Sequence, residues 1–118
     1  MNNCIFCKIA RAEMGTIIWQ NDHVFAINDI HPKAPTHILV IPKKHTESLS
    51  ATDDPRLFGK LMMAIRTVTE QLGVQDAYRV HANNGEGAGQ EVFHLHFHVL
   101  AGNSDQALDL GLVREHGL

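Results

Sequence analysis

Leu57, Leu61, Ile65, Val68 and Leu72 recur every three or four residues, which is the stripe of an amphipathic helix. Asp53 or Asp54 can cap it, Pro55 suits its first turn and Gly73 is a natural stop. Phe58, Met62 and Met63 read as further core contacts on this helix. Elsewhere the pattern changes period. From Phe93 to Gly102 the chain reads Phe-His-Leu-His-Phe-His-Val-Leu-Ala-Gly, an alternation that predicts a β-strand. His94, His96 and His98 then line one face, neighbours about 6.6 Å apart, and Phe93, Leu95, Phe97 and Val99 line the other.

The remaining segments follow the same reasoning. His37 to Ile41 is apolar on both faces, so it predicts a central strand, which Pro42 closes. Thr16 to Gln20 and His23 to Asn28 form a hairpin around Asn21-Asp22, and Tyr78 to Asn83 is a further strand. Ile5, Phe6 and Ile9 stand at helical spacing in a short N-terminal helix over residues 4–13, ended by Met14-Gly15. Two prolines make Asp29 to Pro35 a loop, Lys43 to Asp54 is polar, and Asn84 to Gln90 carries three glycines. No element is assigned to the tail from Asn103 to Leu118. The sum is an α+β fold: about five antiparallel strands with one long and one short helix.

Composition narrows the function. A chain of 118 residues, 44% hydrophobic and 19% charged, is expected to fold as one domain over residues 1–118. A formal charge of −3 argues against general nucleic-acid binding, so any phosphate site must be local. No signal-peptide pattern and no apolar run near the roughly 20 residues of a membrane span is visible, which predicts a cytoplasmic protein. Nine histidines against ten lysines and arginines make imidazole the group to follow.

Three imidazoles in a row opposite an apolar face suit either chemistry on an anion or zinc binding. The glycine-rich loop that precedes them can bring backbone N–H groups close to a phosphate, which favours the anion. His23, His31, His81 and His116 read as ordinary structural or surface residues. Cys4 and Cys7 form a Cys-x-x-Cys pair, which supplies two metal ligands or two reduced, partly buried thiols.

His94-Leu-His96-Phe-His98-Val-Leu resembles the signature of the histidine triad family of nucleotide hydrolases and transferases. Cys4 to Ile9, Asp29-Ile30, Ala34 to His45 and Gly89 to His94 are similar to the same family, particularly its Hint-like branch. The resemblance implies a histidine triad fold and a homodimer whose sheets join edge to edge. It implies a hydrolase that cleaves nucleoside 5′-phosphoramidates or related purine nucleotide conjugates at the α-phosphate. His96 takes the role of nucleophile, through a nucleotidyl-histidine intermediate, and His98 and His37 those of its helpers.

The resemblance also places Ile5, Phe6, Ile9, Ile27 and Ile30 around the base and Asp29 on the ribose hydroxyls. Asn83, Gly89 and Gln90 then face the phosphate. Animal phosphoramidases of this branch carry a serine three residues before the triad, where this chain, like other members, has Glu91. Zinc-containing members complete the Cys-x-x-Cys pair with two histidines, matching His45 and His94. Two other functions are compatible: hydrolysis of dinucleoside polyphosphates by the same nucleophile, and a non-catalytic nucleotide-sensing or zinc-stabilised interaction module.

Overall fold

His37 to Ile41, apolar throughout, forms the middle of the molecule. In the computed structural model, which describes residues 3–102, strand β3 runs over Thr36–Pro42 and every residue from His37 onward is buried. Around it lie helix α1 (Ile5–Ala10), β1 (Trp19–Gln20), β2 (Val24–Asn28), helix α2 (Pro55–Leu72), β4 (Arg79–His81) and β5 (Phe97–Ala101). The five strands make one antiparallel sheet in the order β1-β2-β3-β5-β4. This is the expected α+β fold with one long and one short helix.

Local chemistry explains the elements. Asn21 closes the first hairpin by accepting the His23 and Val24 N–H groups on Oδ1 at 2.8 and 2.9 Å. Asp54 caps α2 by accepting the Arg56 N–H at 2.9 Å, and Gly73 ends it in the left-handed conformation. The two faces of the sheet are buried separately. Val24, Ala26, Ile38, Val40, Leu95, Phe97 and Val99 pack with Leu61, Ile65 and Val68 of α2. Phe25, Ile27, Leu39 and Ile41 pack with Phe6 and Ile9 of α1. Six residues of α1 cover only part of that second face, and the histidines lie on the part that the described residues leave open.

Several boundaries differ from the sequence expectation. The histidine-rich strand begins at Phe97 and not at Phe93, because its register against β3 runs from Thr36↔Ala101 to Val40↔Phe97. Two residues further on, the position opposite Leu95 is Pro42, which has no N–H for the Leu95 carbonyl and whose own carbonyl accepts the His94 Nε2–H, so the Leu95 N–H donates to the Thr46 carbonyl at 2.6 Å. Phe93, expected on the core face, lies beyond the strand and is 47% exposed. Met62, Met63 and Leu72 also point outward, off the side of α2 that meets the sheet. The N-terminal helix stops at Ala10, before Met14-Gly15, as the chain turns through Ala12 at φ 62°. The strand expected over Tyr78 to Asn83 is shortened to Arg79–His81. The tail from Asn103, with His116, lies outside the described residues.

Candidate active site

Register brings the imidazoles together. In β3 and β5, His37 stands opposite Leu100 and Leu39 opposite His98, so His37 and His98 are diagonal neighbours on one face. His81 of β4 is directly opposite His98. His96 precedes β5 by one residue and keeps to the same side, 5.1 Å from His98 between ring centroids. The centroids of His37 and His81 lie 5.2 and 4.5 Å from that of His98.

Hydrogen bonds fix which nitrogen carries each proton. The Lys33 backbone N–H donates to His37 Nδ1 at 3.0 Å, so a neutral His37 holds its proton on Nε2. That Nε2–H faces His98 Nδ1 at 3.0 Å and the Asp29 carboxylate at 3.3 Å. Donation to His98 Nδ1 leaves the His98 proton on Nε2. His96 is set the other way: its Nδ1–H donates to the His94 carbonyl at 2.8 Å, so Nε2 keeps a free lone pair. One ring thus presents a nucleophilic nitrogen and its neighbour an N–H donor.

Burial keeps these rings uncharged. Desolvation is the main cause that lowers the pKa of His37, His81, His94, His96 and His98. His94 and His98 fall from 6.5 to about 4; for His98, the nearby His81, His96 and His37 add to the effect and Asp29 opposes it. An unfolded chain therefore binds more protons than the folded one between pH 6.5 and about 4. Stability should be independent of these groups above pH 6.5 and fall progressively as pH drops towards 4. Thermal melts across that range check this. A melting temperature that rises on acidification would contradict it.

The histidines open onto a cavity of about 770 Å³. His37, His96, His98, Glu91, Asn83, Gly89, Asp29 and the five apolar residues Ile5, Phe6, Ile9, Ile27 and Ile30 all line it. Ile30 does so at the rim, 85% exposed. Asp29 is already engaged: one oxygen accepts the His31 N–H at 2.8 Å and the other faces His37. Gln90 is a correction. It is buried away from the cavity wall, accepting the Gly85 N–H at 2.8 Å and donating to the Glu47 and Val92 carbonyls. It braces the glycine loop from behind. The Ala88, Gly89 and Gln90 N–H groups are likewise bonded within that loop.

Sequence reasoning missed His31, Lys33 and His81, which also line the cavity. The only available signal for His81 was its place in a strand, and its face depends on pairing with β5. His31 and Lys33 come from the proline-rich loop, whose path the sequence pattern does not specify.

The HIT domain model matches residues 11–105. The chain belongs to the HIT domain family. This HIT protein is 41% identical to Protein HitA of Neisseria gonorrhoeae over 103 residues, which cover 85% of this chain and 96% of that one. It is similar to a HIT family hydrolase from Clostridium thermocellum (TM-score 0.84, 38% identity, 98% and 99% of the two chains covered). It is also similar to a histidine triad nucleotide-binding protein from Candida albicans (TM-score 0.83, 29% identity, 96% and 85% covered).

His94 belongs to a second cluster of this HIT domain. Cys4, Cys7, His45 and His94 offer ligand atoms that all lie within 4.8 Å of one another. His94 Nε2–H donates to the Pro42 carbonyl at 2.7 Å, which turns an unprotonated Nδ1 towards the sulfurs of Cys4 at 3.3 Å and Cys7 at 3.6 Å. His45 Nδ1 lies 3.3 Å from Cys7 Sγ. A tetrahedral zinc with ordinary bond lengths sets sulfur and nitrogen about 3.5 Å apart, so this Cys₂His₂ set fits zinc. The carbonyl held by His94 Nε2–H is the kind of outer partner that orients a ligand imidazole.

Proposed function

We propose that this HIT protein hydrolyses nucleoside 5′-phosphoramidates or related nucleotide conjugates at the α-phosphate, through a covalent nucleotidyl-His96 intermediate. This is the chemistry of the Hint-like branch. The observation that carries the proposal is the His96 Nδ1–H bond to the His94 carbonyl, which leaves Nε2 unprotonated beside the cavity.

In the first step the His96 Nε2 lone pair attacks phosphorus and the bond to the leaving nitrogen breaks. The His98 Nε2–H hydrogen-bonds the phosphoryl oxygens, while the leaving amine takes a proton from solvent by way of Glu91, both residues lying beside the cavity. The His94 carbonyl stabilises the positive charge that His96 acquires. Water then attacks phosphorus, gives up a proton by way of Glu91, breaks the P–N bond to His96, and releases the nucleoside monophosphate. The His37 Nε2–H, donated to His98 Nδ1, keeps the His98 proton on Nε2 throughout.

The apolar wall of Ile5, Phe6, Ile9, Ile27 and Ile30 takes a purine base, and Asp29 takes the ribose hydroxyls. Asn83 and Gly89 flank the phosphate. Zinc, held by Cys4, Cys7, His45 and His94, has a structural role and the reaction needs no cofactor. Residues 1–118 act as one cytoplasmic domain. Among the described residues no helix is long and apolar enough to cross a membrane. The edge strand β4, last in the sheet among the described residues, pairs with that of a second copy to give the homodimer.

Hydrolysis of dinucleoside polyphosphates is the second reading, favoured by the Lys33 side, where a cationic residue lines the cavity. A substrate panel separates the two. Turnover of adenosine phosphoramidate is expected to exceed that of diadenosine polyphosphate by at least about tenfold in kcat/KM. The reverse order would assign the second activity, and nucleotide binding without turnover would make the protein a sensing module.

A further inference from the structure

His81 has no place in the reaction as written, yet it sits at its centre. Its ring stacks on that of His98, with centroids 4.5 Å apart and planes 9° from parallel. It reaches this position because His81 and His98 are direct partners in the β4–β5 register. Its Nδ1 is buried and, among the described residues, has no hydrogen-bond partner. An aliphatic residue there would avoid leaving a polar atom unsatisfied, so simple filling of space does not account for a histidine.

The ring's shape does account for it. The single bond from His37 Nε2–H to His98 Nδ1 fixes one edge of the His98 ring but leaves it free to swing about the line of that bond. A flat neighbour stacked on the ring removes this freedom. Imidazole is the smallest aromatic side chain, and His98 also has His37 and His96 within 5.2 Å.

We propose that His81 is a positioning residue for His98: by stacking on its ring it fixes the plane in which the His98 Nε2–H points at the reacting phosphate. The role rests on the hydrolase reading for its consequence in turnover, and on the ring contact alone for its consequence in order.

His81→Ala and His81→Phe, with His96→Ala as reference, test both parts. His81→Ala is expected to lower kcat on adenosine phosphoramidate about tenfold with KM within about twofold, because misdirection of a donor acts on the transition state. His81→Phe, which keeps a flat ring without nitrogens, should return kcat to within about threefold of the parent. In nitrogen-labelled protein, the His98 ring signals should broaden in His81→Ala and stay sharp in His81→Phe.

Unchanged kcat in a folded His81→Ala protein would overturn the proposal. So would unchanged His98 signals in that variant, or a His81→Phe enzyme as slow as His81→Ala. If the parent and His96→Ala are equally inactive, the hydrolase reading fails, and the His98 signals still decide whether His81 orders that ring.

Discussion

Replacing His96 by alanine is expected to lower turnover of an adenosine phosphoramidate by at least about a thousandfold, because it removes the proposed nucleophile. The fold should survive. His96 is buried, but its ring makes one hydrogen bond, to the His94 carbonyl, and an edge-on contact with Phe6. Losing these costs on the order of 1–3 kcal/mol. Nucleotide affinity should stay within about tenfold, since the apolar wall and Asp29 remain. The informative result is therefore a split between binding and turnover, measured by calorimetry and steady-state kinetics on the same preparation. A His96→Ala protein that retains more than about a tenth of parent turnover would assign the chemistry to another residue.

The second large effect concerns the Cys₂His₂ cluster. Protein purified without chelator is expected to carry about one zinc per chain, and removal of the metal to destabilise the fold by about 2–4 kcal/mol. For a chain near this length that lowers Tm by roughly 10 °C or more. Cys7→Ser should act in the same direction. Cys7 is buried in α1, and Cys4 caps that helix by accepting the Cys7 N–H, so the cluster ties the N-terminus to the turn after β3.

Activity should fall as well. His94 contributes its ring to the cluster and its carbonyl to His96, so a displaced His94 releases the tautomer of the proposed nucleophile. Protein free of zinc whose melting is unaffected by Cys7→Ser would reduce the cluster to a set of thiol–imidazole contacts.

The sequence was informative where the hydrophobic period is unambiguous. The stripe from Leu61 to Val68 faces the sheet, and the doubly apolar run from His37 to Ile41 is the central strand. Alternation also placed Leu95, Phe97 and Val99 in the core on the side away from the catalytic face. It failed at Phe93, because strand length is set by the partner: the ladder stops where Pro42 offers no donor.

The site divides in the same way. Residues with a motif around them, such as His37, Asp29 and Glu91, line the cavity. Gln90 belongs to a motif too, yet its amide bonds three backbone groups behind the loop, a role that spacing does not reveal. His81 shows the opposite error. In a short edge strand it carries no local signal, and only the β4–β5 register puts it on His98.

The most direct test of the central claim is to quench the enzyme during turnover of an adenosine phosphoramidate and measure the mass of the intact protein and its peptides. A nucleotidyl adduct on the peptide that contains His96, stable in alkali, labile in acid and absent from His96→Ala, is expected. Normal turnover with no adduct at His96 on any accessible timescale, or an adduct on another residue that persists in His96→Ala, would contradict it.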